Sequence, residues 1–149
     1  MSFSRYKSTI ELGDTVILYV SFNAMYPVVV TEKRTTRNGD EVENVIQTTY
    51  GGLPVKELVG KKFGTRIGLS GGYAYALYPT PQLWTKCLPH RTQILYATDI
   101  SMIMTQLELK PGSVVIESGT GSGSLSHSIA RTIAPNGRLR TFDFHKVPN

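Results

Sequence analysis

The sequence predicts an α/β protein with a small, barrel-like N-terminal β domain followed by the start of a parallel α/β domain. Up to about Tyr78, short β-branched or aromatic runs alternate with turn residues, as is typical of small all-β domains. Beyond Pro79, an apolar strand, a glycine-rich loop, a helix and a second strand follow one another. We therefore expect a first domain of residues 1–78 and a second of residues 79–149.

The first domain is predicted to contain several short strands, over residues 15–20, 27–31, 42–50, 65–69 and 73–78. Asn38-Gly39 supplies the two positive-φ positions of a type I′ hairpin turn between the second and third of these strands. Gly71-Gly72 marks a further hairpin. Closing such strands into a small barrel or sandwich avoids exposed edges, which favour aggregation.

The second domain begins where Pro79-Thr80-Pro81 removes backbone donors that a strand needs. Asp99 is expected to cap a helix that ends near Leu107. An apolar strand of the kind buried on both faces follows at residues 114–116, and a second strand is expected at residues 138–144. The helix between them has one apolar stripe, formed by Leu125, Ile129 and Ile133.

Composition and charge restrict the class of protein. The formal net charge is +5 and the pI about 9.4, which suits a polyanionic partner or simply a basic surface. Cys87 is the single cysteine, so an internal disulfide and a multi-cysteine zinc site are excluded, and we expect it to be a packing residue. The sequence has no signal peptide and no run of about 18 apolar residues, which predicts a soluble intracellular protein.

The glycine-rich loop is the most informative segment. Glu117 closes a strand, glycines follow at every second position, and a helix begins at once. Glycine lets the backbone turn sharply and approach a ligand, and the amides of the helix N-terminus face that ligand. Asp143 lies 24 residues after Gly119, where a carboxylate can accept hydrogen bonds from both hydroxyls of a ribose.

The loop leaves two ligand classes open. A dinucleotide-binding loop usually has Gly or Ala where this chain has Ser126, which counts mildly against NAD. The pattern Glu-x-Gly-x-Gly-x-Gly, from Glu117 to Gly123, resembles the signature of class I S-adenosylmethionine-dependent methyltransferases. A glycine-rich turn that binds nothing is the remaining alternative.

The flanking segments carry a more specific resemblance. Residues 79–84, 88–100 and 107–124 resemble the eukaryotic catalytic subunits that methylate N1 of adenine 58 in the tRNA T loop, and the similarity extends from about Pro79 to Phe144. The resemblance implies a Rossmann-like class I methyltransferase domain, S-adenosylmethionine as the cofactor and tRNA as the substrate. It also implies a related non-catalytic partner subunit in a hetero-oligomer, expected to be a heterotetramer, and a nuclear location.

The resemblance also assigns roles to residues. Gln93 and Tyr96 are expected near the target adenine, where an amide and an aromatic ring can orient a base. The residues expected to bind the cofactor are Leu95, Glu117, Gly119, Gly121, Ser122, Gly123, Ser124 and Asp143. Basic residues of the β domain are expected to meet the RNA backbone, or else simply to be solvated, and these are Arg34, Arg37, Lys56, Lys61, Lys62 and Arg66.

In that family a catalytic aspartate lies on a later strand, beyond the last residue of this sequence. We therefore expect this polypeptide by itself to have little activity and to expose apolar surface over residues 114–116 and 139–144. Two other functions remain open. A non-catalytic tRNA-binding or assembly subunit would fit the basic β domain, and a nucleotide-dependent oxidoreductase would fit the general strand, helix and strand order.

Overall fold

The computed structural model describes residues 7–36, 39–88 and 94–144. These residues fall into two compact units, one that runs to Pro79 and one that begins at Thr80. Each unit has a hydrophobic core of its own. None of the helices in the described ranges is long and apolar enough to cross a membrane.

The first unit is built from short strands. They are β1 (Thr15–Ser21), β2 (Ala24–Val29), β3 (Lys33–Thr35), β4 (Glu41–Glu43), β5 (Val45–Thr48), β6 (Gly51–Pro54), β7 (Arg66–Leu69) and β8 (Gly72–Leu77), with a 3-10 turn at Val55–Leu58. An antiparallel sheet has the order β2-β1-β8-β7, while β3 pairs with β4 and β5 with β6 as separate antiparallel ladders.

One side of the four-stranded sheet carries the core. Alternate residues such as Val16 and Leu18 of β1 face inward with Val28 and Ala76, as the period of two in a strand requires. The buried hydrophobic residues of this core are Ile10, Val16, Leu18, Val28, Val30, Leu53, Val55, Leu58, Ile67 and Ala76.

Two features of the first unit differ from the sequence-based expectations. The described strands form an open sheet and two ladders rather than a closed barrel, because β2 and β7 are edge strands that do not pair with each other. The single strand expected at residues 42–50 is divided at Asn44. The Asn44 side chain donates to the Thr31 hydroxyl at 2.9 Å and its carbonyl oxygen accepts from the Val55 amide, so its polar groups bond outside both ladders. Of the predicted Asn38-Gly39 turn, Asn38 lies outside the described residues, while Gly39 has a φ of 91°.

The second unit contains α1 (Pro81–Cys87), α2 (Ala97–Gln106), β9 (Val114–Ser118), α3 (Ser124–Ile133) and β10 (Arg138–Phe142). Strands β9 and β10 pair in parallel, and α3 connects them. The predicted apolar stripe is confirmed, since Ile129 and Ile133 of α3 pack with Val115, and Leu125 lies against them.

The continuous apolar sequence of the strand before the glycine loop predicted burial on both faces. The structure shows that only one face is buried. Val115 and Glu117 face the helix side and are buried, while Val114 and Ile116 are 74% and 73% exposed. Phe142 of β10 is also exposed. The other expectation, that apolar surface is exposed over residues 114–116 and 139–144, is confirmed at Val114, Ile116, Phe142 and Phe144, while Val115 is buried and Leu139 is half-buried against the core.

The helices of the second unit begin at different residues from those expected. Helix α1 was not predicted. Thr80 caps it by accepting a hydrogen bond from the Leu83 amide, and Pro81 occupies its first position, where a missing N–H costs nothing. Helix α2 begins at Ala97, so Asp99 lies in its first turn instead of capping it. There Asp99 accepts a long hydrogen bond, 3.4 Å, from the Tyr96 amide.

Candidate cofactor site

The glycine-rich loop lies between the end of β9 at Ser118 and the start of α3 at Ser124. Gly119, Gly121 and Gly123 all have positive φ, at 89°, 49° and 74°. Residues with a Cβ disfavour that region, so residue type determines the path of the loop. No heavy atom lies within 4 Å of the position that a Cβ of Gly119 would take. The space beside the loop is therefore open to a ligand.

The end of β10 holds this loop from one side. The amides of Gly119 and Thr120 donate to the Phe142 carbonyl oxygen at 2.7 and 3.2 Å. The Gly121 amide donates to Oδ2 of Asp143 at 2.7 Å. Because β9 and β10 run parallel, their carboxyl ends meet at the same edge. Asp143 therefore lies against the glycine loop, and one of its oxygens bonds to the loop backbone.

Glu117 lies at the buried end of β9 and is only 8% exposed. Its Oε2 accepts a hydrogen bond from the Ser126 hydroxyl at 2.6 Å, and Ser126 is itself buried in the first turn of α3. A carboxylate removed from water requires hydrogen-bond donors, because desolvation of its charge is costly. Ser126 thus fixes the position of the Glu117 side chain beside the loop.

Trp84 of α1 also contacts the loop. Its indole Nε1 donates to the Ser122 carbonyl oxygen at 3.3 Å. The indole also meets the His127 ring edge to face, with centroids 5.1 Å apart and an interplanar angle of 88°. His127 is on α3, so Trp84 touches both the loop and the helix that follows it.

Two buried hydroxyl groups connect three segments of this unit. Thr85 Oγ1 and Ser124 Oγ are 2.6 Å apart, and Ser124 Oγ donates to the Leu95 carbonyl oxygen at 2.8 Å. Thr85 Oγ1 also donates to the Pro81 carbonyl oxygen at 2.9 Å. The two hydroxyl groups carry one proton each, while they make three contacts. Only two of these three contacts can therefore be hydrogen bonds at any one time. These bonds fix the backbone of Leu95 relative to the first residue of α3.

A cavity of about 170 Å³ lies beside the loop. It is lined by Leu95, Glu117, Ser118, Gly119, Thr120, Gly121, Ser122, Ser124 and Leu125. That volume is below the roughly 300–1,000 Å³ of sites that enclose a drug-sized ligand. The cavity therefore has room for one part of such a ligand.

The cavity brings together most of the residues predicted to bind the cofactor. Leu95, Glu117 and Ser124 line it with Gly119, Gly121 and Ser122. Gly123 and Asp143 are not among the lining residues. Gly123 turns the chain into α3, and Asp143 reaches the site through its bond to the Gly121 amide.

The two residues predicted to meet the target base have different outcomes. Gln93 lies outside the described residues. Tyr96 is exposed and does not line the loop cavity. It lines a larger hollow of about 550 Å³ bordered by α1, α2 and α3. The larger hollow lacks the glycine backbone and the buried carboxylate, so we assign the candidate site to the smaller cavity.

Two further titratable groups of this unit, Cys87 and His127, are suited to packing. Burial raises the pKa of the Cys87 thiol to about 11, so the thiol stays protonated and unreactive at neutral pH. Burial also lowers the pKa of His127. The uncharged imidazole is favoured because desolvation penalises its charged form.

Sequence reasoning missed three side chains that shape the site, namely Trp84, Thr85 and Ser126. Ser126 was considered only as a residue disfavouring NAD, yet it is the donor to Glu117. Its position in the first turn after the loop was the available signal, because side chains of that turn lie above the preceding strand end. For Trp84 and Thr85 the Thr80-Pro81 start signal would have revealed the helix, but not its packing partners.

Comparison with known proteins places the chain in a family. Residues 72–148 match the sequence profile of the family described as "tRNA methyltransferase complex GCD14 subunit". The chain is 42% identical over 147 residues to the tRNA (adenine(58)-N(1))-methyltransferase catalytic subunit trm61 of Schizosaccharomyces pombe, covering 97% of this chain and 38% of that protein. It is 43% identical over 148 residues to TRM61 of Candida albicans, covering 98% and 41%. The chain therefore spans about two fifths of the length of these curated relatives.

Solved structures agree on the fold. A SAM-dependent O-methyltransferase from Thermotoga maritima superposes with a TM-score of 0.68 at 26% identity, over 89% of this chain and 46% of that one. The tRNA (m1A58) methyltransferase TrmI from Aquifex aeolicus gives a TM-score of 0.59 at 22% identity, over 91% and 48%. The fold is therefore that of the class I methyltransferases. With the family profile matching half of its length, the chain belongs to the family of the tRNA methyltransferase complex GCD14 subunit.

Proposed function

We propose that this chain is part of a tRNA (adenine(58)-N1)-methyltransferase catalytic subunit that transfers a methyl group from S-adenosylmethionine to N1 of an adenine in the tRNA T loop. The observation that carries the proposal is the intact glycine loop, with Glu117 and Asp143 on either side, in a chain about 42% identical to relatives named as catalytic subunits. We also propose residues 1–78 as a β domain and residues 79–149 as the first part of the Rossmann-like methyltransferase domain. The compact units, which divide after Pro79, support that boundary.

The residues of the cavity fit S-adenosylmethionine. Open space beside Gly119 and Gly121, where a Cβ would point, allows a ligand to approach the backbone. The proposed roles are a contact of Glu117 with the amino acid end of the cofactor, a contact of Leu95 with its body, and hydrogen bonds that Asp143 accepts from its ribose hydroxyls. Each carboxylate oxygen has two acceptor positions, so Asp143 Oδ2 can accept from a ribose hydroxyl while it keeps the Gly121 amide. Gly119, Gly121, Ser122, Gly123 and Ser124 would supply the backbone cradle.

The chemistry requires alignment more than activation. The cofactor supplies a methyl group already activated by its sulfonium charge. What the chain has to do is fix the direction of approach, and the Trp84 and Thr85 contacts hold the loop and Leu95 for that purpose. Gln93 and Tyr96 are proposed to orient the target adenine, which must be splayed from its neighbours to enter a pocket.

The cellular setting is proposed from the relatives. We propose that the protein acts with a related non-catalytic subunit, as a hetero-oligomer expected to be a heterotetramer, and that it works in the nucleus on tRNA. The net charge of +5 is consistent with a polyanionic substrate.

Calorimetry and a methyl-transfer assay test the proposal on the whole protein. S-adenosylhomocysteine is expected to bind, while NAD is expected not to. Radiolabelled methyl groups should enter a tRNA with adenine at position 58 and not the same tRNA with guanine there. Binding of NAD in place of S-adenosylhomocysteine would make the protein an oxidoreductase. Binding of neither ligand would leave a non-catalytic assembly subunit as the better description.

A further inference from the structure

The outer face of the four-stranded sheet carries exposed aromatic side chains. Burial alternates along residues 73–76 of strand β8. Tyr73 and Tyr75 are 42% and 37% exposed, while Ala74 and Ala76 are fully buried. Both tyrosines therefore project from the face opposite the core. A sheet that needed this face only for solubility would be expected to carry small polar residues there.

Neighbouring strands continue this face to Arg66 on β7 and, on β1, to Tyr19, which is half-buried beside the fully buried Ile17. The strand register pairs Tyr75 with Arg66 of β7 on one side and with Tyr19 of β1 on the other. Directly opposed residues in antiparallel strands share a face, so these side chains form a row across three strands. We call Tyr19, Arg66, Tyr73 and Tyr75 the tyrosine face.

The side chains of this face are held in a fixed arrangement. The guanidinium carbon of Arg66 lies 4.0 Å from the centre of the Tyr73 ring. The rings of Tyr73 and Tyr75 are 5.6 Å apart and nearly perpendicular, at 83°. A guanidinium resting on an aromatic ring keeps its outer face and its N–H donors for a further ligand.

In the described part of the chain, Arg66 is not paired with a carboxylate, unlike three lysines of the same unit. Lys7, Lys33 and Lys56 are each paired with a carboxylate, at 2.6–2.9 Å. Among the residues that the structure describes, no carboxylate pairs with Arg66. Its positive charge is therefore available to an anionic partner, and it lies beside two exposed rings.

We propose that the tyrosine face binds unpaired nucleotides of RNA, with bases stacking on the aromatic rings and on the Arg66 guanidinium while Arg66 attracts the phosphates. Stacking on exposed rings of a sheet beside a cation is the chemistry by which proteins hold single-stranded RNA. The choice of RNA as the partner rests on the proposed function, but the face is distinct from the glycine-loop site. It also places the RNA contact on a different residue from Lys56, which is neutralised by Glu43.

Fluorescence anisotropy of the whole protein with a labelled oligouridylate of about eight nucleotides tests this proposal, since single-strand sites span roughly 4–16 nucleotides. Tyr73→Leu and Tyr75→Leu should each weaken binding by about fivefold or more, the effect of losing one stacked base. Tyr73→Phe and Tyr75→Phe keep the ring and should remain within about twofold of the unsubstituted protein. Arg66→Ala should weaken binding and reduce its salt dependence, while Lys56→Ala, which removes the same charge from an ion pair, should change little.

An abasic strand with the same number of phosphates separates stacking from charge. The leucine variants should bind the abasic strand as well as the unsubstituted protein does. Leucine variants that retain oligouridylate affinity within twofold, or that lose both strands equally, would overturn the proposal. Circular dichroism checks that each variant is folded, and S-adenosylhomocysteine binding is measured in parallel. If the unsubstituted protein does not bind S-adenosylhomocysteine, the proposed function is refuted, while RNA binding by the tyrosine face is tested separately by the oligouridylate measurements.

Discussion

The two units of this chain are stabilised in different ways. The core cluster of the β unit contains ten buried hydrophobic residues, and its ion pairs are exposed or only partly buried. The core cluster of the glycine-loop unit contains three buried hydrophobic residues, with Val114 and Ile116 exposed on the other face of β9. Its distinctive contacts are buried hydrogen bonds, between Ser126 and Glu117 and between Thr85 and Ser124.

The difference shows where stability and binding geometry come from. The hydrophobic effect is not directional and tolerates small shifts of the buried side chains. The stability of the β unit is therefore expected to depend on the side-chain volume in its core. Buried hydrogen bonds are directional, so the geometry of the glycine-loop unit is expected to depend on single polar atoms. The substitutions that follow compare these two dependences, starting with the largest effect.

Leu18→Ala tests the volume dependence of the β unit. Leu18 is fully buried, so the loss of its side chain leaves a cavity and should lower the free energy of unfolding by about 2–5 kcal/mol. Leu12→Ala is the matched control, because Leu12 is 56% exposed and should change stability by less than about 0.5 kcal/mol. Urea unfolding followed by circular dichroism measures both, and equal effects would contradict the assignment of the core.

Glu117→Gln tests the polar dependence of the loop unit. It keeps the shape of the side chain and removes the charge that we propose meets the amino group of the cofactor. Charged hydrogen bonds contribute about 1.5–3 kcal/mol, so affinity for S-adenosylhomocysteine should fall about tenfold or more in calorimetry. Glu57→Gln, in the exposed part of the β unit, is the control. Unchanged affinity in Glu117→Gln would remove the carboxylate from the site.

Gly121→Ala and Gly13→Ala compare the same backbone requirement in the two units. Gly121 has a φ of 49° and Gly13 a φ of 85°, so alanine should cost each unit about 1–2 kcal/mol. Of these two glycines, only Gly121 lines the cavity, so only its substitution should also weaken the binding of S-adenosylhomocysteine. Equal losses of cofactor affinity in both variants would mean that the loop conformation is not specific to the site.

Thr85→Val removes one buried hydroxyl while it keeps the side-chain volume. The expected loss in the free energy of unfolding is about 0.5–1.5 kcal/mol, because a hydrogen-bond partner of Ser124 disappears. Trp84 is the single tryptophan of the chain, so its fluorescence during urea unfolding reports on this unit. The control is Thr105→Val, whose hydroxyl is exposed on α2 and bonds only along its own helix. A larger effect in the control would contradict the role of the hydroxyl pair.

The smallest expected effect is a pH dependence that originates in the loop unit. Burial lowers the pKa of His127 below its usual 6.5, so as the pH falls the unfolded chain takes up this proton before the folded protein does. The stability linked to His127 is therefore complete above about pH 6.5 and is lost as the pH falls toward the folded pKa. His127→Phe keeps a ring against Trp84 and should reduce the slope of stability between pH 7 and pH 5 by a small amount. An unchanged slope would assign the dependence to other groups.

The glycine loop could be predicted because its geometry is local. Glycines at positions 119, 121 and 123 are needed wherever a chain turns through positive φ, whatever surrounds it. The period of residues 125, 129 and 133 similarly predicted the buried side of α3. Helix α1 was missed because its prolines were attributed to a domain boundary. The interruption at Asn44 was missed because it depends on a hydrogen bond to Thr31, thirteen residues away.

The sequence alone determined the helix that follows the glycine loop, the loop that turns through positive φ, and the carboxylates at the ends of β9 and β10. Only the tertiary structure decided which side chains surround that loop. Trp84 meets Ser122 across 38 residues and Thr85 meets Ser124 across 39. The physical reason is that backbone conformation follows from each residue and its near neighbours, whereas contacts between distant segments exist only once helices and strands have packed.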